Sequence, residues 1–225
     1  MGGACDHGRR GSMRKADLRK IHDRFEKDLQ QTRQRLIRLQ TLVKQEAARR
    51  LIAEPKPESD LTWLFEAACL TTYARWVTFA QELFVGLLNR DASRLRASLS
   101  PKLPKHLAVE TVEALLTWQK NFPTDPDDLK GLAKDILAIN PFDKLTDSHW
   151  KPVRELHAIR NAVAHPRSQR ARKRYRDALN TPKGPGSFLK AKARPDGEPR
   201  LVEYIDHLVD ASKSMRKAYA SLRSP

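Results

Sequence analysis

Two long helical patterns, separated by prolines, limit the folds open to this chain more than any other feature. In the first, from about 16 to 53, apolar residues recur at three- and four-residue spacing, the period of one helix face. Pro55 and Pro57 end it, because proline cannot continue a helix. In the second, from 61 to 89, apolar residues occupy most faces, which predicts a central helix. The first helix, polar on its outer faces, is expected to pack on the bundle or on a partner subunit.

Further helices follow from caps and prolines along the rest of the chain, and no convincing strand is present. They are predicted at about 106–121, from Asp125-Pro126 to about 139, from a cap at Asp147-Ser148 to His165, and at 201–222. We therefore expect an all-α, up-and-down bundle of four to six helices with a long N-terminal helix. Residues 1–14 are expected to form a disordered leader, 15–225 a single helical domain, and 166–199 a basic loop inserted in it, which can include a helical turn at 170–179.

The charge balance favours a polyanionic partner. The chain has 43 Lys+Arg against 27 Asp+Glu, a net charge of +16, and nucleic acid is the usual partner of a domain this basic. Two cysteines, Cys5 and Cys69, are too few for a disulfide framework and fit a reducing cytoplasm. No apolar run reaches the length of a membrane span. The histidines lack metal-ligand spacing, so we expect no metal and no cofactor.

The stretch with the clearest chemical content runs from Glu155 to Pro166 and contains Arg160, Asn161 and His165. On the predicted helix, Asn161 and His165 share a face because they are four residues apart. Arg160 lies about 7.5 Å from His165 along the axis and about 140° around it. A residue before proline is pushed out of helical geometry. We therefore expect the helix to end or kink at His165, which brings the arginine and the histidine together.

These side chains suit the cleavage of RNA, which carries its own nucleophile in the 2′-hydroxyl. A histidine can take the proton from that hydroxyl or give one to the leaving 5′-oxygen. Arg160 supplies fixed positive charge and forked donors that match phosphate oxygens. Asn161 can orient His165 or donate a hydrogen bond to the phosphate. The catalytic candidates are therefore Arg160, Asn161 and His165.

Arg160-Asn161-Ala162-Val163-Ala164-His165 resembles the Arg-x4-His signature of the HEPN superfamily, in the form with asparagine after the arginine. The apolar residues before it, its late position and the helical layout from about 16 to 223 are also similar to RNase members of that family, such as toxin, abortive-infection and RiboL-PSP-type proteins. The resemblance implies a metal-independent endoribonuclease of a prokaryotic toxin or defence system, leaving 2′,3′-cyclic phosphate and 5′-hydroxyl ends. It also implies a homodimer whose two motifs face each other, and is compatible with an antitoxin or regulatory partner.

Two other interpretations stay open. The chain can be a non-catalytic helical module that binds RNA or a protein, since its charge is high and the motif is short. With less support, it can be a DNA-binding protein, although no clear helix-turn-helix pair is present.

A run of cations follows the motif directly. Beside a phosphate-cutting site it is expected to hold the RNA backbone without reading sequence, with Tyr175 stacking on a base. The residues assigned to RNA binding are Arg167, Arg170, Arg172, Lys173, Arg174 and Tyr175. The alternative is a solvated charged loop. His157, three residues before Arg160, is expected either to line the edge of the site or to be an ordinary surface or core residue.

Overall fold

A computed structural model of the chain describes residues 16–49, 57–99, 106–108, 110–112, 114 and 122–220. In this part of the chain all regular structure is helical, apart from one isolated antiparallel bridge between Lys192 and Pro199. The predicted all-α class and the long N-terminal helix are confirmed. The predicted leader 1–14 lies outside the described residues, as does most of the helix predicted at 106–121, of which 110–112 and 114 are helical.

The bundle is built on an antiparallel pair of long helices, α1 (Leu18–Arg49) and α2 (Pro57–Arg90). Most faces of α2 are buried, as its sequence predicts, because it lies against α1 and against three later helices. Three charges interrupt its apolar run, and two of them, Arg75 and Glu82, are paired with α1. Arg75 Nη1 lies 2.7 Å from Asp28 Oδ2, and Glu82 pairs with Arg24. Neither charge therefore enters the bundle without a partner.

Short capped helices precede the motif. They are α3 (Ser93–Leu99), α4 (Pro126–Ile136) and a 3-10 helix (Pro141–Lys144). The side chain of Asp125 caps α4 by accepting a hydrogen bond from the Asp127 amide at 2.9 Å, which confirms the predicted helix start. α4 ends at Ile136, before its predicted end near 139. The chain leaves helical geometry there, ahead of the proline that begins the 3-10 helix.

The motif lies at the end of α5 (Asp147–Ala164). The N-cap of this helix lies one residue before the predicted cap at Asp147. Thr146 is the N-cap, and its amide donates to His149 Nδ1 at 3.2 Å. Pro152 is the sixth residue of the helix and not part of its first turn, and the helix continues through it. α5 ends at Ala164, directly before His165 and Pro166, so the predicted break is confirmed.

The segment 166–199 is not one basic loop, because half of it is helical, and the helical turn predicted at 170–179 is part of a full helix. It forms α6 (Gln169–Leu179) and α7 (Pro185–Lys190), and the last helix, α8 (Arg200–Arg216), follows. The described chain thus has eight α-helices, more than the four to six expected, because short helices occupy segments that were predicted to be loops.

α6 forms because an apolar face is hidden among its many cations. Ala171 and Tyr175 are four residues apart and both are buried. The Ser168 side chain caps the helix by accepting the Ala171 amide at 3.2 Å. Asn180, with φ of 45° and ψ of 49°, ends it in the left-handed conformation.

One apolar core extends from α1 to α8, and α5 crosses it in contact with α2 and α8. Val153, Leu156, Ile159 and Ala162 form the buried face of α5. α8 ends at Arg216, before the predicted end of that helix near 222. Among the described helices none combines the length and apolar character needed to span a bilayer.

Candidate active site at the end of the motif helix

The motif arginine and asparagine are joined to a histidine one turn earlier on α5. Arg160 Nη1 donates to Asn161 Oδ1 at 2.8 Å, and Asn161 Nδ2 lies 2.8 Å from His157 Nε2. His157 and Asn161 share a helix face because they are four residues apart. All three side chains are partly buried, so this chain of hydrogen bonds holds them in one arrangement.

Arg160 determines how the Asn161 amide is oriented, because arginine only donates hydrogen bonds. With its oxygen bonded to Arg160, Asn161 presents its NH2 group to His157, and Nε2 of that ring must accept. The proton of the neutral imidazole therefore lies on Nδ1. Nδ1 faces Asp125 Oδ2 at 3.6 Å, a separation that allows charge attraction but is longer than a normal hydrogen bond.

Two other helices hold His157 in place. Asp125 caps α4 with Oδ1 and faces His157 with Oδ2. Tyr73 of α2 stacks on the His157 ring, with the centroids 5.4 Å apart and 20° between the planes. The Tyr73 hydroxyl donates to the Thr124 carbonyl and so ties the segment before α4 to α2. Residues from α2, α5 and the N-terminus of α4 therefore build the site together.

The surroundings of His157 favour its neutral form. Its side chain is only 12% exposed, and this burial lowers the pKa of His157 from its usual value. Asp125 opposes the shift by raising that pKa, while the cations Arg160 and Arg174 lower it further. Neutral His157 is the form that the bond to Asn161 requires, since a protonated ring has no acceptor nitrogen.

His165 lies at the end of α5 with its side chain exposed. Its amide donates to the Asn161 carbonyl at 3.0 Å, and its φ of −127° and ψ of 63° turn the chain out of the helix. Within the described residues, no hydrogen bond or ion pair engages its side chain. Among the described residues no hydrogen bond therefore joins the side chain of His165 to that of Arg160 or Asn161, and the expected approach of Arg160 to His165 stays a prediction.

The cations after the motif form an exposed surface, which we call the basic face. All of its members are exposed, and in the part of the chain that the structure describes none forms an ion pair with an acidic side chain. One of them, Arg174, lies near enough to His157 to lower its pKa. The basic face thus reaches the network on α5, and its members are Arg167, Arg170, Arg172, Lys173 and Arg174.

Tyr175 does not belong to the basic face, so it offers no exposed ring there on which a base could stack, contrary to the prediction. Its side chain points inward and the residue is only 3% exposed. The ring packs edge-on against Phe188 with centroids 6.3 Å apart, and the hydroxyl donates to the Lys183 carbonyl at 2.8 Å. The helical period of α6, which a loop does not have, is what turns this tyrosine into the core.

Sequence reasoning misses Asp125 and Tyr73 and assigns His157 only to the edge of the site. The spacing of four residues between His157 and Asn161 is a signal that points to their contact. Asp125 is recognisable only as a helix cap, and no local pattern connects it with a histidine far along the chain. Tyr73 lies in an apolar run, where an aromatic residue is normally interpreted as core.

The described residues contain no group of three or more His, Cys, Asp or Glu side chains placed to hold a metal ion. Comparison of the chain with protein-family models, with curated proteins and with solved structures finds no match. Its function is therefore inferred from its own geometry and from the motif.

Proposed function

We propose that the chain is a metal-independent endoribonuclease of the HEPN type, with Arg160, Asn161 and His165 as its catalytic residues. The observation that supports this best is the fixed Arg160–Asn161–His157 network beside an exposed and unengaged His165 at the end of the same helix. A positioned guanidinium and a free imidazole supply the fixed charge and the titratable group that phosphodiester cleavage needs.

In the proposed reaction, the imidazole of His165 takes the proton from an RNA 2′-hydroxyl, and that oxygen attacks the neighbouring phosphorus. The bond from phosphorus to the 5′-oxygen breaks, and a second, protonated imidazole gives its proton to the leaving oxygen. The products are a 2′,3′-cyclic phosphate and a 5′-hydroxyl. Arg160 stabilises the negative charge that develops on the phosphate oxygens. The hydrogen bonds of Asn161 favour a role in positioning Arg160 over one in orienting His165.

In the proposed reaction the general base and the general acid are two imidazoles, and α5 exposes one at its end. We therefore propose a homodimer in which two copies of α5 bring their His165 side chains to a shared cleft. RNA follows the basic face through phosphate contacts that do not depend on sequence. A prokaryotic toxin or defence protein in the cytoplasm, restrained by an antitoxin or regulatory partner, is the setting that the motif's resemblance implies.

A non-catalytic RNA-binding module is the second candidate. It is favoured by one observation: the oxygen and the NH2 group of Asn161 are both already engaged, and among the described residues no hydrogen bond joins the side chain of His165 to that of Asn161 or Arg160. This alternative predicts salt-sensitive RNA binding with no cleavage product after long incubation.

Replacement of His165 by alanine tests the nuclease. We expect wild-type protein to cut RNA in the presence of EDTA and to leave 2′,3′-cyclic phosphate ends, and His165→Ala to stay folded while losing at least about 100-fold in rate. His207→Ala, which removes an exposed histidine on α8, is the matched control and should cut normally. Undiminished cutting by His165→Ala contradicts the mechanism, and RNA binding without any product by wild-type protein supports the second candidate.

A further inference from the structure

A small cavity lies between the end of α5 and the turn that joins α6 to α7. Its volume is about 190 Å³, which is smaller than pockets for drug-sized ligands and suits one planar ring system. Much of its wall is apolar and includes Val163, Pro166, Tyr175 and Pro185. Pro166 is bonded directly to His165, so the cavity borders the proposed site of cleavage.

One carboxylate, that of Glu66 on α2, faces this largely apolar space. Oε1 of Glu66 accepts a hydrogen bond from the Gly186 amide at 3.1 Å, which fixes the side chain against the start of α7. Its second oxygen has no hydrogen-bond partner among the described residues. The close approach requires glycine, because a β-carbon at Gly186 would lie 2.5 Å from the Thr62 carbonyl oxygen.

Three cations line the exposed part of the same cavity: Arg172, Arg176 and Lys183. None of them forms an ion pair with an acidic side chain of the described residues. The cavity therefore combines apolar walls, a fixed acceptor and cations at the protein surface. A ligand that matches all three has a flat ring, N–H donors on one edge and a phosphate, which describes a nucleotide.

We propose that this cavity binds the base of an RNA nucleotide next to the cleaved bond, and that the base it selects is guanine. Guanine alone among the four bases has two adjacent donors, N1–H and the 2-amino group, on its Watson–Crick edge, and this pair matches a carboxylate. Adenine, cytosine and uracil each present one donor group there. The ring lies against the apolar walls and the cations bind the phosphate. This assignment of the ligand as RNA rests on the proposed function.

Binding of mononucleotides to the full chain tests the cavity without any cleavage step. In NMR titrations that follow the Val163 amide, we expect GMP to bind at least about tenfold more tightly than AMP, CMP or UMP. Glu66→Gln keeps an oxygen for the Gly186 amide but has an NH2 group in place of the second carboxylate oxygen. We therefore expect this variant to lose the preference for GMP. Glu203→Gln, which makes the same chemical change on α8, is the matched control.

A second variant tests the cations. Arg172→Gln combined with Arg176→Gln should weaken GMP binding about tenfold and leave guanosine binding unchanged, because guanosine has no phosphate. Equal binding of all four mononucleotides, or a GMP preference that survives Glu66→Gln, overturns the assignment.

The cavity and the nuclease can fail separately. Protein that prefers GMP in a Glu66-dependent way but never cuts RNA supports the guanine site and contradicts the nuclease. Protein that cuts RNA with no preference for guanine beside the cut, in wild type and Glu66→Gln alike, contradicts the guanine site alone.

Discussion

The two sides of the bundle use their cations differently. On the side of α1 and α8, several cations are paired with acids, as in Arg33 with Glu198 and Arg216 with Asp23. On the side of α5 and α6, the basic face has no acidic partner among the described residues. A paired surface cation contributes little beyond local structure, whereas unpaired cations gathered in one place raise the positive potential there. The difference separates charge that belongs to the fold from charge that can bind a polyanion.

Two histidines show the same contrast in the interior. His22 of α1 is fully buried beside Phe79, and its Nδ1 lies 2.7 Å from Ser212 Oγ. Ser212 donates its only proton to Glu26 Oε1 at 3.3 Å, so His22 must donate from Nδ1. This makes His22, like His157, a neutral ring with its proton on Nδ1.

The two networks lead in different directions. From His22, hydrogen bonds continue through Ser212 to the carboxylate of Glu26, which also lies on α1. His22 and Ser212 are both buried. From His157, they continue through Asn161 to the guanidinium of Arg160, near the exposed end of α5. A lowered pKa is common to both histidines and does not distinguish them. What distinguishes them is whether the network leads to a carboxylate of the same helix or to the guanidinium of the motif.

The largest effect that separates the two networks should come from acidification. Burial, helped by Arg216 and opposed by Asp23, lowers the pKa of His22 to about 4, against 6.5 for an unperturbed histidine. The unfolded chain therefore takes up a proton at higher pH than the folded chain, and stability falls as the pH drops from about 6.5 to about 4. This histidine accounts for about 3 kcal/mol of that fall in unfolding free energy.

Urea unfolding at pH 7 and pH 4.5 measures this loss. His22→Gln lowers stability at pH 7 but has no ring to protonate, so its stability should change less with pH than that of the wild type. His207→Gln serves as a control that keeps the wild-type dependence. Equal pH dependence in wild type and His22→Gln would show that His22 is not the group responsible.

A smaller effect is expected from removing His157, and it should appear in catalysis. His157→Ala takes away the acceptor for the Asn161 NH2 group, so the Arg160–Asn161 pair loses its fixed orientation. We expect RNA cleavage to slow about tenfold, with RNA affinity changed by no more than about twofold, because the lost bond is worth about 1 kcal/mol. Single-turnover cleavage and equilibrium binding measure the two quantities. A loss of stability in His157→Ala like that expected for His22→Gln would remove the contrast between the two histidines.

The smallest effect concerns the salt dependence of RNA binding. Each phosphate contact to single-stranded RNA contributes about 0.7 to the slope of log K against log salt concentration. Arg170→Gln should therefore reduce that slope by about 0.7, while Arg33→Gln, which removes a cation already paired with Glu198, should leave it unchanged. RNA affinity measured between about 50 and 200 mM salt gives this slope for each of the two variants. Equal changes in the two variants would remove the distinction between paired and unpaired cations.

The fold was predictable where one strong pattern dominates. The spacing of apolar residues identifies α1 and α2, and Pro166 identifies the end of α5. In the segment 166–199 only a helical turn at 170–179 was recognised, because cations surround the few apolar residues of α6, and Tyr175 was assigned to RNA. The start of α5 was missed by one residue because His149 takes the place that glutamate usually occupies in a capping box.

The site was predictable only as far as local spacing extends. Arg160, Asn161 and His165 lie within one helical turn and a half, so their approximate arrangement follows from helix geometry. Asp125 meets His157 because α4 lies against α5, and Tyr73 meets it because α2 does. Such contacts depend on tertiary packing, which the spacing of residues along a helix does not contain.

Asp125 divides its two oxygens between the start of a helix and the candidate site. Because Oδ1 holds the Asp127 amide while Oδ2 faces the His157 ring, the first turn of α4 cannot open without moving the carboxylate away from that ring. The Asp127 amide proton is therefore a built-in reporter. Its rate of exchange with deuterated solvent should rise whenever the support of His157 is lost, so an amide-exchange measurement at the start of α4 can follow events on the neighbouring helix.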